Sequence, residues 1–473
     1  MKTITDHYID GAFVPSHGRE MMDVIRPTDG QIIARATLAD EEDTRQAIAA
    51  AKRAFATYGT SKPQERAEIL RRLHRAASAR IDDLTAVMVE EYGGVVQFSR
   101  LLVESGVNAF AAAEKALPEI QWTRNWGKTT VTLEPVGVSG LITAWNANVL
   151  FMCLKFASAV AAGCTVVIKP SEMSPLQARI LVEALHEAKL PNGLLNVVMG
   201  LGKTVGAELV RNPAVAKISF TGSVAVGQAI MRDGAATMKR VTLELGGKSP
   251  TILLDDANLE EAIPAALGMA FMNSGQACAA GTRLLVPSKR LDAVKRAIGD
   301  AMSAFPVGDP ADPKIAVGPM VSQKQFDRVQ SYIRKGIEEG AEVLIGGEGH
   351  PKGLEAGYFV KPTVFVNVSN DMTIAQEEIF GPVLCAISYD TDEDAIRIAN
   401  DSKYGLHGAV IGTDLTRARR VASQIRAGRI VINGMIDDPQ APWGGFKFSG
   451  FGREYGAYGI NAFLETRAIL EVA

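Results

Sequence analysis

From residue 136 onward, short apolar runs alternate with stretches of helical spacing, and this alternation constrains the fold more than any other feature. "VGVSGLI" reads as a strand, 149–162 as a helix and "CTVVIK" as a strand; the next helix runs to about Lys189 and stops at "PNG". "LLNVV", a helix near 203–211, "VAKISF", a helix from about 224 and "RVTLELG" continue the pattern. Strands that alternate with helices predict an α/β fold whose parallel sheet is wound on both faces. Such a sheet takes its ligands beyond the carboxyl ends of its strands. The alternation restarts after Cys278, with "TRLLVP", helices at 289–304 and 322–339, "GPVLCAISY", helices near 393–401 and 415–427 around "GAVIG", and finally "RIVIN". This predicts a second α/β unit. Ahead of both, 41–57 has helical spacing at Ile48, Ala51 and Phe55 with Asp40 placed to cap, and 64–82 repeats it at Ile69, Leu73 and Ile81. "WGKTTVTLEPVG" and the last ten residues, "LETRAILEVA", are β-prone and peripheral, suited to pairing with another subunit or to serving as plain edge strands.

The 473 residues exceed one ordinary core, which again points to two or three domains. A net charge of −3, with 50 basic and 53 acidic residues intermixed, gives no surface for nucleic acid. The cysteines are Cys153, Cys164, Cys278 and Cys385, with no CxxC pair, and the six histidines form no HxH or HExxH, so no metal site is predicted. So few cysteines in a long chain fit a reducing, cytoplasmic setting. The most apolar long segment, 137–168, contains Asn146, Asn148, Lys155 and several glycines, which makes it a buried strand, turn and helix, not a membrane span.

Chemistry is concentrated at a few points. In "FMNSGQACAAGTR" the thiol of Cys278 lies among Ala277, Ala279, Ala280 and Gly281, where nothing bulky crowds it. A free cysteine often behaves as a small hydrophobe; a reactive one needs a group to take its proton and donors for the oxyanion it creates. "VTLELGGKSP" sets Glu244 at the end of a strand before Gly246 and Gly247, a place for a general base or for a plain loop carboxylate. "LITAWNANVL" ends a strand with Trp145 and Asn146, whose amide suits an oxyanion or a turn. "VVIKPSE" places Lys169, Ser171 and Glu172 at the next strand's end, where ribose hydroxyls would be met. "SFTGSVAVG" puts Gly222 and Gly227 around a strand-to-helix turn suited to a pyrophosphate, although it is not GxGxxG. "GLGKTVG" at 200–206 is too short for a Walker loop. Glu378 and Phe380 precede a strand in "EEIFGPV", and Glu454 closes the glycine-rich "PWGGFKFSGFGRE".

In combination these motifs are specific. "TAWN", "KPSE", "FTGS", "LELGGKSP", "GQACAAGTR", "EEIFGPV" and "PWGGFKFSGFGRE" stand in the order and near the spacing of the aldehyde dehydrogenase superfamily, which the chain resembles from "YIDGAF" to "FLETRAI". The resemblance implies NAD(P)-dependent oxidation of an aldehyde to an acid. It gives Cys278 as nucleophile, Asn146 with the Cys278 amide as oxyanion holder, and Glu244 as general base. Lys169 and Glu172 match adenine-ribose contacts, Ser223 the diphosphate contact and Glu378 the nicotinamide-ribose contact. Phe380 packs by the nicotinamide, Trp145, Ser171, Gly222 and Gly246 complete the cofactor set, and Glu454 matches a second acid in a proton relay. The implied organisation is a doubly wound, Rossmann-like cofactor domain (1–120 and 137–246), an α/β catalytic domain (247–448), and a small oligomerisation ribbon with a C-terminal segment (121–136 and 449–473) that builds a dimer or tetramer. Glu465 is expected to form a partly buried pair with Arg240 or Arg453 near that interface.

The chain departs from the family around the oxyanion residue, with Ala144, Ala147 and Asn148 where Pro, Phe and Pro are usual. That leaves the chemistry intact and opens the substrate side, where Ala147, Leu150, Phe151 and Leu154 share a helical face and Trp443 stands opposite. A bulky apolar or aromatic aldehyde is therefore expected, with a semialdehyde as the alternative substrate. A glutamate base argues against a CoA-acylating enzyme, and the intact Cys278, Asn146 and Glu244 argue against a structural descendant without activity. NAD is expected as the cofactor, because Glu172 would repel the 2′-phosphate of NADP, with Lys169 beside it able to offset that repulsion.

Overall fold

A computed structural model describes residues 2–435 and 438–471; the first residue, 436–437 in the second α/β unit, and the final two positions of the C-terminal segment lie outside the described residues. An eight-stranded sheet runs in the spatial order Gly450–Phe451, Arg240–Glu244, Val215–Thr221, Val138–Ile142, Thr165–Lys169, Leu195–Val197, Asp6–Ile9 and Ala12–Pro15. Its five central strands are parallel and its flanking pairs antiparallel. The strand order reverses between Val138–Ile142 and Val215–Thr221, so a crevice opens beyond their carboxyl ends. Register keeps those ends level: Ile142 is opposite Lys169 and Phe220, and Thr221 is opposite Glu244.

The helix Asn148–Ala162 leaves this crevice and is buried nearly all round, as its apolar sequence requires. Gly163 ends it in the left-handed conformation, with φ +92. Helix Val96–Ala116 packs so closely on it that a Cβ at Gly106 would lie 2.8 Å from the Leu150 Cα.

A seven-stranded sheet follows, in the order Glu342–Ile345, Thr363–Val366, Val383–Tyr389, Arg283–Pro287, Pro250–Leu253, His407–Ile411 and Arg429–Ile432, parallel except for its first pair. The predicted ribbon is a three-stranded antiparallel sheet, Thr123–Trp126 on Thr129–Pro135 on Leu464–Leu470. Glu465 meets Arg240, not Arg453. Both partners are close to half exposed in the single chain.

Three other expectations differ. The periodicity over 64–82 spans two helices, Pro63–Ser78 and Ile81–Tyr92, which part at Ala79 and Arg80. Asp82 and Asp83 in the first turn of the second helix mark the restart. The stretch 203–211 is a π-type turn, Gly202–Gly206, followed by a short helix, Ala207–Arg211. Five strands precede residue 40, where the sequence shows no strong strand signal, and two of them extend the first sheet. No described helix is long and apolar enough to cross a membrane, and among the described residues no group of three or more His, Cys, Asp or Glu side chains could hold a metal ion.

Candidate active site

A cavity of about 320 Å³ lies where the two large sheets face each other, and both line it. The first sheet contributes the carboxyl ends of its strands: Ala144, Trp145 and Asn146 after Ile142, Gly222 and Ser223 after Thr221, and Glu244 with Leu245 and Gly246 at the end of its own strand. Ser223 caps the eleven-residue helix Val224–Gly234, its hydroxyl accepting from the Val226 amide. That helix N-terminus therefore faces the crevice with the polarity that suits an anion. Asn146 is buried and its Nδ2 donates to the Gln276 carbonyl at 3.0 Å. An amide carries two N–H bonds, so one remains for a second acceptor.

The second sheet contributes the loops that enter the amino ends of its strands. Asn273, Ser274 and Gly275 form a left-handed turn, with φ of 52, 59 and 73°. Such a backbone costs a non-glycine residue roughly 1–2 kcal/mol. Asn273 offsets this by donating its Nδ2 to the carbonyls of Asn146 and Gln276, at 2.9 and 3.2 Å. Gln276 fixes the next step: its side chain donates to Tyr92 Oη and the Pro319 carbonyl and accepts from the Val321 amide. Cys278 then emerges half-buried on the cavity wall.

Glu378 accepts from the Gly247 amide at 3.0 Å, and Phe380, at φ 63°, sets its ring edge-on to Trp145 with centroids 5.3 Å apart. This approach needs glycine at both positions of the turn. A Cβ at Gly246 would lie 2.2 Å from a Glu378 carboxylate oxygen, and one at Gly247 would lie 2.5 Å from the Cys278 carbonyl.

Burial and like charge set the protonation of the three acids of the cavity in one direction. Burial, with the Glu378 and Glu244 charges behind it, pushes the Cys278 thiol up to about 12, against the pull of the Cys278 and Ala279 amides. Burial, then Glu454, holds Glu244 well above the usual carboxylate range, and neither of its oxygens has a hydrogen-bond partner among the described residues. Burial raises Glu378 to about 7. Behind Glu244, Lys155 donates to Glu454 at 2.5 Å and to Ser219 at 3.0 Å, the only charged side chain of its helix thereby finding a buried partner.

Several residues singled out in the sequence lie outside this lining. Lys169 is buried beside the crevice, its three donors on the carbonyls of Pro170 and Gly200 and on Glu172; a ribose contact requires it to release one of them. The Ser171 hydroxyl is turned onto the Met173 amide and shapes the bend. Ala147, Leu150 and Leu154 are buried and Phe151 half-buried on the predicted helical face. Leu154 borders a second, tight cavity with Lys155 and Glu454. Trp443 bridges to Glu454 through two backbone hydrogen bonds. Gln325 and Arg328 also line the main cavity, tied to the carbonyls of Phe380 and Glu378 at 2.8 and 2.7 Å. In sequence they sit on an amphipathic helix and look like solvated surface.

The sequence model of the aldehyde dehydrogenase family matches residues 13–469. A protein of Staphylococcus haemolyticus given the same family name is 44% identical over 470 residues, 99% of each chain. Aldehyde dehydrogenase C of Pseudomonas syringae, as a Cys-to-Ala mutant in complex with NAD+ and octanal, superposes with a TM-score of 0.97 at 41% identity, covering 98% of this chain and 96% of that one. A Mycobacterium tuberculosis aldehyde dehydrogenase in complex with NAD+ gives 0.96 at 40% identity, covering 100% and 99%.

Proposed function

The chain belongs to the aldehyde dehydrogenase family, and on that premise we propose that it oxidises an apolar aldehyde to its carboxylic acid with NAD as hydride acceptor. The carrying observation is the convergence of Cys278, Asn146, Glu244 and Glu378 on one cavity between the two sheets. In this reading 1–120 with 137–246 is the cofactor-binding domain and 247–448 the catalytic one. The ribbon with the C-terminal segment (121–136 and 449–473) joins copies into a dimer or tetramer.

The residues present fit a nicotinamide dinucleotide. Ser223 and the Val224–Gly234 N-terminus suit its diphosphate, Glu172 and Lys169 one ribose, Glu378 the other, and Trp145 with Phe380 the ring. The space beside Gly246 and Gly247 is the close approach such a ligand requires. When bound, the nicotinamide supplies the acceptor for the aldehyde's hydride, which turns the adduct on Cys278 into a thioester.

The chain's own residues do the rest. Cys278 yields its proton to the Glu244 carboxylate, and its sulfur attacks the aldehyde carbon. The resulting oxyanion is held by the second N–H of Asn146 and the Cys278 amide, worth about 3 kcal/mol per donor. Glu244 first hands the thiol's proton on towards Glu454, then takes a proton from water, whose oxygen attacks the thioester carbon; as the acid leaves, that proton returns from Glu244 to the departing sulfur. Lys155 and Glu454 carry the proton away from Glu244. A carboxylate with both oxygens unsatisfied beside the cysteine favours water over CoA as the acyl acceptor.

The substrate reading rests on the small Ala147, the uncharged face Leu150–Phe151–Leu154 and the octanal bound by the Pseudomonas syringae relative. NADH formation with acetaldehyde, hexanal, octanal, benzaldehyde and succinic semialdehyde, with and without CoA, tests the whole proposal. Rates should rise with apolar size, at about 0.8 kcal/mol per buried methylene, and be independent of CoA. Preference for succinic semialdehyde would overturn the substrate class, and a requirement for CoA the acceptor.

A further inference from the structure

Cys278 and Trp145 reach the cavity from different sheets, and one buried side chain touches the support of each. Tyr92 closes the helix Ile81–Tyr92, is fully buried and does not line the cavity itself. Its ring lies against Trp145, with centroids 5.8 Å apart at 44°, and Trp145 in turn meets Phe380. Its hydroxyl oxygen accepts from Gln276 Nε2 at 3.1 Å. The rest of the Gln276 side chain is spent on the loop 318–321, donating to the Pro319 carbonyl at 3.3 Å and accepting from the Val321 amide at 3.0 Å. The main-chain carbonyl of Gln276, two residues before Cys278, takes the Asn146 Nδ2. The turn after Tyr92 leaves this arrangement little slack. Gly93 ends the helix at φ +80, and a Cβ on it would lie 2.6 Å from the Pro319 Cγ. The loop that receives Gln276 is thus pressed against the residue next to Tyr92. A buried amide N–H is costly to leave without an acceptor, so Gln276 stays on the tyrosine hydroxyl while that loop is in place.

We propose, on the basis of the aldehyde oxidation set out above, that Tyr92 is a positioning residue for hydride transfer. Its ring backs Trp145 and Phe380, where the nicotinamide ring is placed. Its hydroxyl fixes the Gln276 peptide, which orients Asn146 and leads into Cys278. One side chain thereby sets the hydride acceptor in register with the carbon to be oxidised, although it touches neither substrate nor cofactor. The ring and the hydroxyl have separable tasks. Without the ring the shelf for the nicotinamide loses its backing. Without the hydroxyl the Gln276 amide must turn to another acceptor, and the peptide between Asn146 and Cys278 moves with it.

Tyr92→Phe keeps the ring and removes the acceptor, whereas Tyr92→Leu removes both. Each is read in its first turnover with the aldehyde of the panel above that the parent oxidises fastest, unlabelled and deuterated at C1. The amplitude of the NADH burst counts the working sites. Tyr92→Phe should slow the burst per working site about tenfold, as a small misplacement of reacting groups does. It should also enlarge the isotope effect on the burst, because hydride transfer becomes the slow step, and leave the NAD dissociation constant unchanged. Tyr92→Leu should slow the burst likewise and raise that constant about tenfold as the stacked ring is lost. A tyrosine that only stabilises the fold gives another result: fewer working sites and a lower melting temperature, with the burst rate per site and the isotope effect those of the parent. That result in Tyr92→Phe would overturn the inference, and it decides the matter even where Tyr92→Leu does not fold. An unchanged NAD constant in folded Tyr92→Leu would overturn the part given to the ring. If the parent gives no burst with any aldehyde, the function proposed above falls and this inference falls with it; a parent that bursts beside an unaltered Tyr92→Phe sinks the inference alone.

Discussion

The two large sheets feed one cavity from opposite ends of their strands. The first follows the rule for doubly wound folds: Asn146, Ser223 and Glu244 lie at or just beyond strand carboxyl ends. The second reverses it, since Cys278 precedes the strand Arg283–Pro287, and Glu378 and Phe380 precede Val383–Tyr389. The first sheet thus offers groups anchored on regular backbone, and the second offers groups on irregular loops held by Asn273, Gln276 and the glycine pair. The difference divides the labour. In the proposed reaction the base, the oxyanion holder and the diphosphate contact sit on rigid ends, and the nucleophile and the second ribose contact sit on loops whose paths are over-determined by hydrogen bonds.

The largest test of that division is Cys278→Ala. It should lower turnover at least about a thousandfold while leaving NAD affinity, read by protein fluorescence, and the melting temperature close to the parent's, because alanine fits among Ala277, Ala279 and Ala280. A large loss of NAD affinity would show that the loop also carries the cofactor site. Glu244→Gln removes the base from the first sheet. Steady-state turnover should fall about a hundredfold or more, and the first-turnover NADH burst should form more slowly but still precede the steady rate, because deacylation loses its base most completely; undiminished steady turnover would mean the base is elsewhere.

The third test acts on the contact between the halves. Glu378 is raised to about 7 by burial, so it is protonated below that pH and loses its acceptor role there. NAD dissociation constants should therefore rise as pH falls from 8 to 6, by up to about tenfold, and Glu378→Gln should make them flat across that range. A parent profile that is already flat would remove Glu378 from the cofactor site. The smallest effect is expected from Ala147→Phe, at the start of the helix Asn148–Ala162. It should cost octanal and benzaldehyde about tenfold in kcat/KM and acetaldehyde little. An unchanged ranking would show that this helix face does not touch the substrate.

What was legible in the sequence follows the same boundary. The first sheet could be read because its strands are continuous apolar runs ending in turn chemistry, and each site residue stands at such an end. Cys278, Glu378 and Phe380 have no comparable periodic signal, and they stood out through resemblance and through the small residues around the thiol. Asn273 was invisible, since no pattern announces a left-handed turn built from Asn and Ser. Arg328 was invisible because its helix has the polar face of any surface helix, and only the fold brings that face onto Glu378. The N-terminal strands Asp6–Ile9 and Ala12–Pro15 escaped notice because they are only four residues each and in part polar, and the second forms the sheet edge. The break at Ala79 preserves the helical repeat across it, so spacing alone could not show it.

The glycine pair has a consequence for recombination. At Gly246 the excluded volume belongs to Glu378, 132 positions later, and at Gly247 it belongs to the Cys278 loop. These three segments form one inheritance unit although the chain scatters them. A chimera whose crossover falls between 247 and 378 joins a turn shaped by one parent to a carboxylate and a thiol placed by another. Crossovers that carry 244–380 whole leave the unit undivided, and the helix after Ala147, proposed above as a substrate wall, lies outside it. Relatives built by shuffling would on this account diverge in the aldehyde they accept long before they diverge in what they do to it.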